Sequence, residues 1–337
     1  MPRLARIDFP GLLHHVIARG INRQAVFIGK PDYADFLERV ETSKEKVPNE
    51  ILAWALMPNH FHLLIRSGPK GMIPFMRRLM TGYAGAFNLR HQRTGHLFSN
   101  RYKSIVCDEN SYLLELVRYI HLNPLRAGLV KTVKDLEEFP YTGHSVLLKK
   151  NKAPWQSTEV VLRLFSKKLS TARDLYLSFI GNGASQGHRE DLVGGGLGRS
   201  LGGAPRQVPH DSLKDRQLYD SRVLGSGDFV ESVLKVVEKE EEIKRSIVRE
   251  NLSLDEIGQR VADKCSINVE WLYLRNRTHR VSEAKALLVF LATEYLGKNN
   301  VEMSRLVKMT PAAAGRARMK GFNIAREINA ESWMKVN

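Results

Sequence analysis

The stretch that most restricts the fold is ILAWAL (51–56), a Pro58-Asn59 turn and HFHLLIRS (60–67). Two apolar, β-rich runs hinged on two turn residues predict a pair of antiparallel strands. Successive strand side chains point to opposite faces, so His60 and His62 share one face while Phe61, Leu63 and Ile65 share the other. An ordinary core has no use for two imidazoles on one face. A divalent metal ion does, because each neutral ring offers a nitrogen lone pair.

The neighbouring segments supply the rest of a domain. GLLHHVIARG (11–20) reads as a strand ending at Gly20, and DYADFLERVETSKEKV (32–47) has the spacing of an amphipathic helix. MIPFMRRLMTGYAGAFNLRHQ (72–92) is helical and HLFSNRYKSIVC (96–107) strand-like. SYLLELVRYIHLN (111–123) predicts a helix capped by Asn110 or Ser111. It should end near Asn123, because Pro124 disfavours helical dihedrals in the residue before it. These elements make an α+β domain with an antiparallel sheet over residues 1–150. Residues 151–227 hold a short helical stretch (159–180) and a glycine-rich one (181–207), either a flexible linker or an ordered loop that covers something. GGGLGRSLGG in that stretch has no preceding strand and no Lys-Ser/Thr after the glycines, which argues against a nucleotide loop.

Residues 228–337 are helical throughout and end in VEMSRLVK and PAAAGRARMKG, two short helices joined by Met309-Thr310. Thr310 is placed to cap and Pro311 to open the second helix, the helix-turn-helix pattern of duplex DNA binders. Arg316, Arg318 and Lys320 lie on or beside that helix, and Arg277, Thr278 and Arg280 precede the longer helix before it. A helical bundle with a basic surface is the plainer alternative. The charge distribution favours DNA. Residues 1–150 carry 22 Lys+Arg against 13 Asp+Glu, residues 151–272 carry 18 of each, and residues 273–337 carry 12 against 5. Two basic ends around a neutral middle can grip a polyanion at two places. The two cysteines, Cys107 and Cys265, lie far apart and argue against a disulfide framework or a thiolate zinc site. With no signal peptide and no run of 18 apolar residues, a cytoplasmic, non-membrane protein is expected.

Two same-face histidines need a third ligand. In helix 111–123, Tyr119 and Asn123 are four residues apart and share a face, so the Asn123 amide could complete a metal shell beside the Tyr119 phenol. A phenol has a pKa near 10, and beside a cation that polarises a phosphodiester it can attack phosphorus. Tyr112, two turns earlier, is an alternative nucleophile or a core residue. Arg101, Tyr102 and Lys103 mix basic and aromatic character in the way that suits single-stranded DNA, or else keep an edge strand soluble. His14 and His15 point to opposite faces of one strand, so at most one could join the site, and His121 faces away from Tyr119. None of these three is assigned to it.

MPNHFHLLI (57–65) resembles the HUH motif of the single-tyrosine transposases, and RYKSIVCDENSYLLELVRYIHLNPLRAGLV (101–130) is similar to the most characteristic stretch of their REP-associated branch. GLLHHVIARGINRQAVF (11–27) is similar to that family's opening strand and turn. The resemblance implies a ferredoxin-like sheet, a divalent metal (Mg²⁺ or Mn²⁺, without ATP) on His60 and His62, and Tyr119 as the nucleophile that takes a 5′-phosphotyrosine link. Asn123 stands where the family places its third polar ligand. Residues from Leu274 to Gly321 also resemble the DNA-binding domain of the replication initiator DnaA. They carry Thr310, Pro311 and Ala312 to Ala314 where that family has a histidine-containing signature, which implies a different specificity. The expectation is a metal-dependent DNA strand transferase acting on single-stranded or hairpin DNA, with a C-terminal domain holding duplex. The rivals are a catalytically idle DNA-binding regulator and a nuclease that uses water.

Overall fold

The computed structural model describes residues 6–185, 192, 220–249, 253–276, 278–328 and 330. The chain forms two compact units, residues 1–233 and 234–337. The glycine-rich stretch, apart from residues 181–185 and Leu192, lies outside the described residues, as does Arg277.

In the first unit, β1 (Leu13–Arg19), α1 (Lys30–Lys46), β2 (Glu50–Met57), β3 (His60–Arg66), α2 (Ile73–Arg90) and β4 (Lys103–Cys107) follow in a β-α-β-β-α-β order. The sheet order is β2-β3-β1-β4, every pair antiparallel, which is the expected ferredoxin-like arrangement. A fifth strand, β5 (Val223–Leu224), pairs parallel with β4, so the sheet is mixed at that edge and not wholly antiparallel. Only Lys103–Cys107 of the strand-like 96–107 run is a strand. Phe98 makes an isolated bridge to Gly20 instead.

Both faces of the sheet are covered, which is why β2 and β3 are buried almost end to end instead of alternating between core and solvent. On one face Val16, Leu56, Phe61, Leu63 and Ile65 pack with Phe36 and Val40 of α1 and with Phe75, Leu79 and Tyr83 of α2. On the other, Leu13, Ala55, Leu64 and Ile105 pack with Leu116, Val117, Tyr119 and Ile120 of α3 (Glu109–His121). The α3 N-cap is Asp108, whose side chain accepts from Asn110 N at 3.2 Å, and not Asn110 or Ser111 as the sequence suggested. Ser111 Oγ donates to the same carboxylate at 2.8 Å, which explains why three polar residues in a row were ambiguous. The helix stops at His121, and Pro124 sits in the first turn of a new short helix, α4 (Asn123–Arg126).

The first unit does not end near residue 150. The helices α5 (Val133–Glu138), α6 (Gly143–Leu147), α7 (Thr158–Leu162) and α8 (Leu169–Gly183) place Leu136, Leu147, Leu162, Tyr176 and Ile180 in the α3-side core. The expected single helical stretch at 159–180 is thus two helices that complete this core.

The unit boundary falls inside α9 (Gly227–Arg249). The second unit is helical, with α10 (Leu254–Cys265), a 3-10 turn (Val269–Leu272), α11 (His279–Tyr295), α12 (Asn300–Leu306) and α13 (Pro311–Glu327). Thr310 caps α13 as expected, accepting from Ala313 N at 3.2 Å, but α13 is long where a short helix was anticipated. Gly321 lets α13 approach α11, since a Cβ there would lie 1.9 Å from the carbonyl oxygen of Ala286.

Phe61, between the two histidines in sequence but on the opposite face, is fully buried and packs against Phe36 in a tilted contact with ring centroids 4.8 Å apart. Phe61→Ala should therefore lower stability by about 3–5 kcal/mol through the cavity it leaves. A urea midpoint equal to wild type would contradict this packing.

Candidate active site

Residues paired across antiparallel strands project to the same face. The register sets Arg19 opposite His60, Ile17 opposite His62 and His15 opposite Leu64 on one side of β1. On the other side of β1, Lys103 of β4 lies opposite Ile17. His15, Arg19, His60, His62 and Lys103 therefore share the face that α3 covers, while His14 belongs to the opposite face and contacts Ser104 Oγ at 3.1 Å.

The imidazoles of His60 and His62 have centroids 5.1 Å apart with their planes 75° to each other. His15 stacks on His62 at 5.2 Å, and its Nε2 lies 2.9 Å from His62 Nδ1. The Tyr119 ring meets His15 at 5.9 Å and His62 at 6.0 Å, both edge-on. Helix α3 thus brings the Tyr119 ring against His15 and His62. The ring is 3% exposed. The guanidinium of Arg126, from α4, sits 5.4 Å from its centroid and donates to the Tyr119 carbonyl at 3.5 Å.

Burial keeps His15 and His60 neutral. Desolvation lowers His15 to about 4, helped by the charge of Lys103, and lowers His60 to about 4, helped by Arg19. A neutral imidazole retains a lone pair, which is the form a metal needs. His60 Nδ1 lies 2.6 Å from Asn59 Oδ1, so it carries the proton and leaves Nε2 bare. The pair therefore fits a divalent cation as two nitrogen donors. Among the described residues no group of three or more His, Cys, Asp or Glu is placed to hold a metal ion, so a third ligand from those residues would be of another type. Asn123 is such a residue. It is buried at the start of α4, and its Nδ2 has no hydrogen-bond partner. That unmet amide is what a missing ligand would leave, since a turn of the amide brings Oδ1 to the same position.

Other expected contacts fare differently. Tyr102 is 8% exposed, belongs to the α1/α2-side core and has Arg6 Cζ 3.9 Å from its ring centroid. The expectation that it stacks on a base is corrected here, because its ring is already packed and burial raises its hydroxyl to about 12. Arg101 and Lys103 are exposed, and Lys103 is on the histidine face. Tyr112 is half-buried against the α3-side core.

In the second unit a cleft of about 1060 Å³ is lined by Arg275, Lys285, Arg305, Lys308, Arg316 and Lys320 and, among the described residues, by no acidic one. Lys285 is buried and donates to the carbonyls of Leu274 and, at 3.1 Å, Val307. Of the residues singled out from the sequence, Arg316 and Lys320 face this cleft. Lys320 also pairs with Glu283 at 3.2 Å, and Arg318 pairs with Glu294 at 3.5 Å. Thr278 and Arg280 are exposed around the start of α11.

Sequence reasoning missed His15, Arg19, Arg126, Arg275, Arg305 and Lys308. The adjacent His14-His15 pair was a visible signal, but which of the two faces the site depends on the β1–β3 register.

Residues 9–123 match the family model described as IS200-like transposase. A solved structure of a REP-associated tyrosine transposase bound to a REP hairpin is 18% identical, with a TM-score of 0.39, covering 44% of this chain and 87% of that one. No curated protein matches the chain.

His14, His15 and His144 are buried and each is lowered to about 4 by desolvation. In the unfolded chain they titrate near 6.5, so the unfolded state binds protons first as pH falls. Their contribution to stability should be complete above pH 6.5 and be lost progressively towards pH 4. The urea midpoint should already decline between pH 7 and 5.5, above the carboxylate range. A flat profile there would contradict the burial of neutral rings.

Proposed function

We propose that the segment matching the IS200-like transposases cuts and rejoins one strand of DNA, with Tyr119 as nucleophile and His60 and His62 as ligands of Mg²⁺ or Mn²⁺. The single observation that supports this most is the edge-on approach of the Tyr119 ring to His62, at 6.0 Å between centroids, on the covered face of the sheet. Asn123 is the third protein ligand in this reading, its buried amide being unmatched within the protein.

A bound divalent ion would withdraw charge from the phosphodiester oxygens and so make phosphorus electrophilic. The Tyr119 oxygen forms a bond to phosphorus and loses its proton, the bond from phosphorus to the 3′-oxygen breaks, and that oxygen leaves as a 3′-hydroxyl. The product is a 5′-phosphotyrosine, and attack by a 3′-hydroxyl reverses it, so no external energy source is required. Arg126 holds positive charge beside the Tyr119 ring. Because Tyr119 is 3% exposed, the strand reaches it only after some of its covering moves aside. Arg101 and Lys103 offer positive charge at the start of β4 for the incoming backbone, with Lys103 on the histidine face.

The substrate in this reading is single-stranded DNA at a hairpin, which is what the likeness of 101–130 to the REP-associated branch implies. The helical second unit holds duplex DNA through its basic cleft, with Arg316, Lys320, Thr278 and Arg280 around it. The protein would act in the cytoplasm, and among the described residues no helix is long and apolar enough to cross a membrane.

Incubating the chain with labelled single-stranded hairpin DNA and Mn²⁺ should yield a covalent adduct on a denaturing gel. Tyr119→Phe should abolish the adduct while retaining DNA binding. Cleavage without any adduct would mean a water nucleophile, and binding without cleavage would mean a regulator. Separately, Arg316→Ala or Arg275→Ala should weaken duplex binding at all sequences and reduce the salt dependence of log K by about one counterion each. A salt slope unchanged in both variants would remove the basic cleft from the DNA surface.

A further inference from the structure

We propose that His15 is a positioning residue that fixes which nitrogen of His62 carries the proton, so that Nε2 of His62 is presented bare as a donor atom. The inference deepens the reading of His60 and His62 as metal ligands and rests on it for its purpose, though not for its geometry.

Three groups form a hydrogen-bonded chain. The Leu192 carbonyl oxygen lies 3.1 Å from His15 Nδ1. A carbonyl only accepts, so His15 Nδ1 must be the donor and bears hydrogen. His15 is wholly buried, which disfavours a charged ring, so it has one N–H and its Nε2 is bare. That bare nitrogen lies 2.9 Å from His62 Nδ1. Two bare nitrogens would repel and two protonated ones would clash, so His62 Nδ1 must donate. A neutral His62 then has its lone pair on Nε2.

His60 reaches the same state by a separate route. Its Nδ1 donates to Asn59 Oδ1 at 2.6 Å, and the Asn59 amide is oriented by its Nδ2, which donates to the Arg23 carbonyl at 3.3 Å. The two histidines are therefore set to the same tautomer by two unrelated acceptors, one in the β2–β3 turn and one on β1. Packing alone does not ask for this. A leucine at residue 15 would fill the face beside Leu64 without burying two more polar nitrogens. His14, its neighbour on the other face, enters no such chain to the site.

Partners of this kind usually contribute 10–100-fold to metal affinity. The test compares wild type, His15→Gln and His15→Leu, full chain, metal-free and then titrated with Mn²⁺. Gln keeps a polar acceptor near the position of Nε2, whereas Leu keeps only bulk. Nitrogen-15 shifts of His62, assigned with His62→Gln, should report a protonated Nδ1 and a bare Nε2 in wild type and in His15→Gln. His15→Leu should show a mixture of tautomers and bind Mn²⁺ roughly 10–100-fold more weakly by calorimetry, with His15→Gln closer to wild type. An Nε2-protonated His62 in wild type overturns the proposal, as does a His15→Leu protein with an unchanged tautomer. If His15→Leu fails to fold, the wild-type and His15→Gln shifts decide alone. Loss of Mn²⁺ binding altogether in wild type, with the shifts as expected, would sink the metal reading and leave the tautomer relay standing.

Discussion

The pairing of β1 with β3 is the constraint on which the candidate site depends. That single register puts Ile17 across from His62 and Arg19 across from His60, and brings His15 diagonally onto His62. A slip of one residue would send the histidines to the α1/α2 face and Phe61, Leu63 and Ile65 to the α3 face. The register is held at its ends by the backbone: Gly20 N donates to Asn59 O at 2.9 Å, and Pro58 O accepts from Val26 and Phe27. Gly20 has no alternative there, because a Cβ would lie 2.1 Å from the carbonyl oxygen of Gln24. The turn that follows, with Asn22 and Arg23 at left-handed φ of 49° and 60°, is also the one whose Arg23 carbonyl steadies Asn59, and through it His60.

Burial on both faces makes the site electrostatically unusual for a chain of net charge +16. The chain is basic, yet His15 and His60 are neutral because they are desolvated and because Lys103 stands near the first and Arg19 near the second. The two conditions cooperate. Cations placed where a phosphate backbone could meet them also disfavour protonation of His15 and His60. Arg126 extends the positive charge to the Tyr119 ring, 5.4 Å from its centroid.

The second unit uses positive charge differently. Lys285 is not on the surface. It satisfies carbonyls at the ends of two short segments, Leu274 and Val307, and burial lowers its pKa. Arg275, Arg305, Lys308 and Arg316 then face a cleft with, among the described residues, no acidic one in its wall. Arg318 and Lys320, which looked equivalent to Arg316 along the helix, are partly neutralised by Glu294 and Glu283 of α11. Spacing along α13 could not distinguish them, since the acids come from another helix.

The local alternation of 51–67, the helical spacing of 32–47 and 111–123, and the Thr310-Pro311 start of α13 were legible because they arise within a few residues of chain. So was the sharing of a face by His60 and His62, which strand geometry alone dictates. Contacts between distant segments were not. The sequence could not tell His15 from His14, could not bury Tyr102 under Arg6, and could not carry residues 153–183 into the first unit's core. Each of these depends on which strand pairs with which and which face a later helix covers. Short-range periodicity determines what each element is. Only the closing of the whole sheet against its helices decides which side chains, far apart in the chain, come within reach of Tyr119.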